Sequence, residues 1–224
     1  MELEFITFLI ICPLIFLAGF IDAIAGGGGL ISMPAYLFAG LPPHFALGTN
    51  KLSSTIGTVI SAFRYHKNGF TDMTVCIPSA MLALFGSFVG AYIALLVSEN
   101  VLQKILLILL PIIAVYILKN KNLIIAKSSL SRKKTFIYSG AISFVVGMYD
   151  GFFGPGTGTF LVIAFIGVAR INPRTAAGNA KIINLSSNIA ALSVFLYNGY
   201  VYIALGLIAG IFSIFGSYIG TGVA

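Results

Sequence analysis

The chain has 224 residues, 58% of them apolar or aromatic and only 8% charged, against about 25% charged in a typical soluble domain. With a mean hydropathy of +1.03, this excludes a soluble enzyme, a nucleic-acid-binding module and a disordered tail, and leaves an integral membrane protein. The net charge of +7 comes from 13 Lys and Arg against 6 Asp and Glu, so it reflects scarce acids more than abundant bases.

A helix needs about 20 apolar residues to cross the hydrocarbon core. The first such run, 5–25, follows Met1-Glu2-Leu3-Glu4 and has no positively charged leader, so it reads as a retained membrane segment. It carries Asp22 and ends at Gly26-Gly27-Gly28-Gly29, after which 30–38 is apolar but too short to cross. Glycine is a poor helix former, so the run predicts a helix that stops, opens and resumes as a half-helix. Such backbone is tolerated at membrane depth only where protein or a watery cavity surrounds it. Further spans are predicted over 49–65, 75–97 and 102–118. The segment 119–134 gathers Lys119, Lys121, Lys127, Arg132, Lys133 and Lys134, the bias of a cytoplasmic loop; the loop with Arg64 and Lys67, two spans earlier, falls on the same side. Span 135–153 carries Asp150 and ends at a second break, Gly154-Pro155-Gly156-Thr157-Gly158, followed by the short apolar piece 159–168 and by spans 181–197 and 202–219. Cys12 and Cys76 lie in separate apolar runs, which argues against a disulfide framework.

The two breaks are copies of one motif. Gly19, Asp22, Gly26 and Gly28 align with Gly147, Asp150, Gly154 and Gly156. Downstream, Pro43, Ala46, Gly48 and Lys51 align with Pro173, Ala176, Gly178 and Lys181, after a two-residue slip. Asn68-Gly69 matches Asn198-Gly199, and Gly86 to Gly90 matches Gly216 to Gly220. The chain therefore divides into a first transmembrane repeat at 1–118, a basic loop at 119–134 and a second repeat at 135–224. The second repeat stops one helix short of the first. Internal repeats with broken segments at matching positions point to a secondary transporter and to its binding site.

An ionisable residue inside a span is a functional-site candidate, and Asp22 and Asp150 occupy equivalent places. Each suits a coupling proton or a cap on the half-helix that follows. The N-terminus of a half-helix offers unpaired N–H groups and partial positive charge. Gly26, Gly27, Gly28 and Gly29 with Gly154, Gly156, Thr157 and Gly158 could thus hold an anion on backbone donors. Gly86/Gly90 and Gly216/Gly220, four residues apart, fit close helix packing instead. Lys51, Ser54 and Thr58 share one helix face, as do Lys181, Asn184 and Asn188, with Asn50 and Asn179 placed at the helix starts. Those two polar stripes would line a substrate path. His44, His66, Arg170 and Arg174 fall in predicted loops, and no cluster has metal-ligand spacing. No nucleophile elbow, Walker loop or dinucleotide fingerprint occurs, and no cofactor is expected.

With Gly-Phe-Ile-Asp-Ala-Ile-Ala-Gly-Gly-Gly-Gly at 19–29, Ala-Leu-Gly-Thr-Asn-Lys at 46–51 and Gly-Phe-Phe-Gly-Pro-Gly-Thr-Gly at 151–158, the chain resembles the TauE/SafE family of membrane transporters. That resemblance implies a carrier of the bacterial or archaeal inner membrane, usually of eight spans. Its studied members are linked to export of sulfite or sulfur-containing organic anions. The expectation is an all-α, polytopic helical bundle with two repeats and broken segments, moving a small anion by alternating access. Its partners would be that anion and the lipid bilayer, with no nucleic acid, and a homo-oligomer is compatible with the pattern. An anion channel is the nearest alternative. An intramembrane aspartyl hydrolase built on Asp22 and Asp150 is the alternative from another class.

Overall fold

The computed structural model describes residues 5–119 and 130–224, and among these every regular element is a helix. In chain order they are α1 (Phe5–Ala25), α2 (Gly29–Phe38), α3 (Pro43–Lys67), α4 (Met73–Leu96) and α5 (Glu99–Lys119), then α6 (Arg132–Phe152), α7 (Thr157–Gly167), α8 (Pro173–Tyr197) and α9 (Ile203–Val223). The short α2 and α7, of 10 and 11 residues, each follow a glycine break. At 1.5 Å per residue they reach only about half of a 30 Å hydrocarbon core.

Among the described residues five helices are long and apolar enough to cross a membrane: α1 over Thr7–Ala25, α4, α5, α8 and α9. Seven spans were expected. The other two, α3 and α6, have the length, 25 and 21 residues, but not the composition. α3 turns a run of Thr, Asn, Lys and Ser inward, and α6 opens on Arg132-Lys133-Lys134. Two helix starts also differ from expectation. α3 begins at Pro43 and α8 at Pro173, about two turns before 49 and 181. Proline at the first helical position brings the helical φ and needs no donor, and Asn172 caps α8 by accepting the Arg174 N–H at 2.9 Å. Asn50 and Asn179 therefore lie in the second turn, not at the helix starts. His44, His66 and Arg174 are helical, not in loops, whereas Arg170 lies in the turn before α8. Of the basic segment 119–134, residues 120–129 lie outside those described.

The outside is as apolar as the core, and the interior also holds small polar residues. Large apolar side chains such as Phe63, Met81, Leu107 and Phe215 point outward, while Ser61, Ser79, Ser87, Ser187 and Ser213 are buried. Small residues let the backbones touch. A Cβ at Gly86 or Gly90 of α4 would overlap carbonyl oxygens of α6, and one at Gly216 or Gly220 of α9 would overlap those of α1. α4 packs on α6 as α9 packs on α1, α3 meets α9 as α8 meets α4, and α3 and α8 cross each other. α2 lies on α1 and α3, and α7 on α6 and α8. The long helices of each half thus pack on those of the other, the half-helices α2 and α7 stay with their own half, and α5 adds Leu102, Leu106, Leu110 and Ile113 to the core beside α3.

Candidate functional site

The two breaks meet backbone to backbone. Thr159 of α7 donates its N–H to the Gly26 carbonyl at 3.3 Å and its hydroxyl to the Ala25 carbonyl at 2.6 Å. A Cβ on Gly158 would lie 2.6 Å from the Cα of Gly26, and one on Gly29 would lie 2.8 Å from the Cα of Pro155. Gly26, Gly154 and Gly156 have φ of 76°, 95° and 84°, a region that L side chains rarely adopt. Glycine is thus required at Gly26 both by conformation and by contact, at Gly154 and Gly156 by conformation, and at Gly29 and Gly158 by contact.

Beneath the breaks is a cavity of about 40 Å³, enough for roughly three waters. Its wall includes Asp22, Gly26, Gly28 and Gly29 from the first break, and Asp150, Gly154, Gly156, Thr157 and Gly158 from the second. α3 contributes Asn50, Lys51, Ser54 and Thr58; α8 contributes Asn184 and Asn188. Three of the sequence candidates stand outside this wall: Gly27, Asn179 and Lys181. Gly28 and Gly29, at the start of α2, have no side-chain cap, and among the described residues their N–H groups meet no protein acceptor.

Two ion pairs flank the cavity, each joining a lysine of one half to an aspartate of the other. Lys51, 2% exposed, lies 2.8 Å from Asp150 Oδ2 and donates to Asn188 Oδ1 at 2.9 Å. The Ser187 hydroxyl approaches the same Oδ2 at 2.7 Å, and the Thr157 hydroxyl approaches Oδ1 at 2.8 Å. Asp150 is thereby faced by three groups that can donate, with the Gly154 carbonyl 2.6 Å from the Thr157 hydroxyl and the Asn184 carbonyl 3.0 Å from the Ser187 hydroxyl as their other acceptors. The counterpart is looser. Lys181 donates to the backbone carbonyl of Asp22 and lies 3.3 Å from its Oδ2, and the Asp22 side chain keeps 18% exposure. Both lysines are buried with a carboxylate, which is the condition under which a buried charge is tolerated.

Asn179 has a different task. Its Oδ1 accepts the Asp72 N–H at 2.9 Å and its backbone carbonyl takes the Cys76 thiol at 3.8 Å, which fixes the start of α4. Thr49 does the same for α9, accepting the Tyr202 N–H at 3.0 Å. The repeat alignment pairs Thr49, not Asn50, with Asn179, so this shared duty was legible in the sequence.

Apart from Ser54, the serines of the cavity escaped sequence reasoning. Ser53, Ser213 and Ser217 line it. So does Ser32, one turn into α2, which is 2% exposed and whose hydroxyl finds no partner among the described residues. A serine in an apolar run has no local pattern that marks it. For Ser213 and Ser217 the available signal was their four-residue spacing on the packing face of α9. Among the described residues no group of three or more His, Cys, Asp or Glu could hold a metal.

The family described as Sulfite exporter TauE/SafE matches residues 11–224. A probable membrane transporter protein of Sinorhizobium sp is 38% identical over 92% of this chain and 78% of its own length. The probable membrane transporter protein YfcA of Escherichia coli K12 is 34% identical over 92% of this chain and 76% of its own. One from Methanocaldococcus jannaschii is 30% identical over 98% of this chain and 88% of its own. No solved structure matches.

Proposed function

Because this chain belongs to the sulfite exporter TauE/SafE family of membrane transporters, we propose that it carries a small inorganic or sulfur-containing organic anion across the cell's inner membrane. The anion would sit between the two glycine breaks and move by alternating access. The observation that carries this reading is the cavity itself. Both breaks wall it, backbone donors at the start of α2 face no protein acceptor among the described residues, and the buried Lys51 lines the same cavity. Such an arrangement stabilises negative charge without free cationic side chains.

The reading is of a carrier and not an enzyme. An aspartyl hydrolase needs two carboxylates sharing a proton, whereas each aspartate here is matched to its own lysine. A channel would share the cavity, and flux separates the two. Purified protein in proteoliposomes, given sulfite, sulfate, sulfonates and carboxylates with and without a pH gradient, is expected to take up one of the sulfur oxyanions with saturation. Non-saturating conductance would favour the channel. No flux of any anion would overturn the reading.

A further inference from the structure

The two ion pairs are equivalent in sequence but not in surroundings. Asp150 is held by Lys51, Ser187 and Thr157. In the repeat alignment the positions of Ser187 and Thr157 are taken by Gly57 and Gly29, so Asp22 has no hydroxyl to meet it. Its Oδ1 meets no donor among the described residues, and its Oδ2 has only Lys181 at 3.3 Å. Lys181 is meanwhile anchored on the Asp22 backbone carbonyl, a bond that survives whatever the carboxylate does.

Charge sets the second constraint. The cavity is flanked by two lysines and two aspartates, all paired, so the empty site is neutral. An anion entering it would leave one buried negative charge without a counterpart, which is costly in a low-dielectric interior. A proton is the simplest compensation. Placed on Asp150, it would disturb three contacts and strand Lys51. Placed on Asp22, it breaks one long contact and leaves the Lys181 charge uncompensated beside the cavity.

We propose that Asp22 alone takes up a proton when the anion binds, freeing the Lys181 charge to balance it, while the Asp150–Lys51 pair stays ionised as a fixed element. The carrier then moves proton and anion in the same direction. This deepens the reading of the cavity as an anion site and rests on it. The other titratable groups around Asp22 are already engaged. From α3, Lys51 is held by Asp150, and Tyr65 donates its hydroxyl to the Ala23 carbonyl at 3.1 Å. From α2, Tyr36 donates to Ser53 at 2.8 Å. α9 brings Tyr218, under the Arg64 guanidinium at 4.4 Å, and α7 brings none.

The test is calorimetric titration of the full-length protein with sulfite, in two buffers of different ionisation enthalpy, which counts the protons taken up per anion. Wild type is expected to take up about one proton more than Asp22→Asn, the proton of sulfite itself being common to both. Wild-type affinity should fall by about tenfold per pH unit once Asp22 is ionised in the empty site. Asp22→Asn should lose that added dependence. Infrared difference spectra of the wild type provide a check that needs no variant: a protonated-carboxyl band should appear on adding anion. Equal proton counts in wild type and Asp22→Asn, or no such band, would overturn the proposal. Should sulfite and the other panel anions all fail to bind the wild type, the anion-site reading falls and takes this proposal with it.

Discussion

Lys51 shows how a residue can be needed by the fold and by the site at once. Removing it strands Asp150 in the protein interior, and breaking a buried pair in this way costs about 3–5 kcal/mol. Lys51→Ala is therefore expected to lower the melting temperature and the yield, not only the affinity for anion, as thermal unfolding in detergent would show. Ser32 is the cleaner probe. Its hydroxyl is buried, lines the cavity and has no hydrogen-bond partner among the described residues, so Ser32→Ala removes a desolvated polar group without breaking a bond. Stability should hold or rise by about 1 kcal/mol, while anion affinity falls several-fold. A drop in stability would mean that Ser32 has a structural partner.

At the scale of the elements, the glycine breaks divide by what surrounds each position. Gly26 has positive φ and a Cβ there would press on Gly158, so Gly26→Ala should prevent correct folding. A Cβ at Gly27 would meet nothing closer than the Thr159 hydroxyl at 3.8 Å, and Gly27→Ala should fold. A Cβ at Gly28 would overlap the Ala18 carbonyl and lie 2.7 Å from the Asp22 Cβ, so Gly28→Val disturbs α1 as well as the cavity. Size-exclusion profiles and melting temperatures of the three variants would check this order. The breaks, the half-helices and the small-residue packing of α4 and α9 were legible because glycine leaves a pattern that is read by counting. The starts of α3 and α8 were not, because Pro43, His44 and Gly48, and Pro173, Arg174 and Gly178, interrupt the apolar run there. Nor did any sequence pattern mark Ser32, whose place in the cavity depends on the angle at which α2 leaves the break.

For the whole molecule, the exchange of partners between the two halves makes the site composite. Each lysine reaches across to an aspartate in the other half, so movement of one half against the other alters both pairs and both breaks together. That coupling is what alternating access around a fixed midplane site requires. Short loops obey the positive-inside bias, so residues 119–134 and the turn between α3 and α4 are expected on the cytoplasmic side. A cysteine placed between 119 and 134 should resist impermeant reagents in intact cells and react in inverted vesicles. Labelling from outside would reverse the orientation.

The central claim is that a small anion binds in the cavity between the breaks. Its most direct test is the concentration dependence of sulfite uptake into proteoliposomes by wild type, Ser32→Ala and Asn179→Ala. Ser32 lines the cavity; Asn179 stands outside it, holding the start of α4. The account predicts saturable uptake, a KM raised several-fold by Ser32→Ala at unchanged stability, and an unchanged KM with lower stability for Asn179→Ala. A KM that moves with Asn179 and not with Ser32 would place the anion elsewhere.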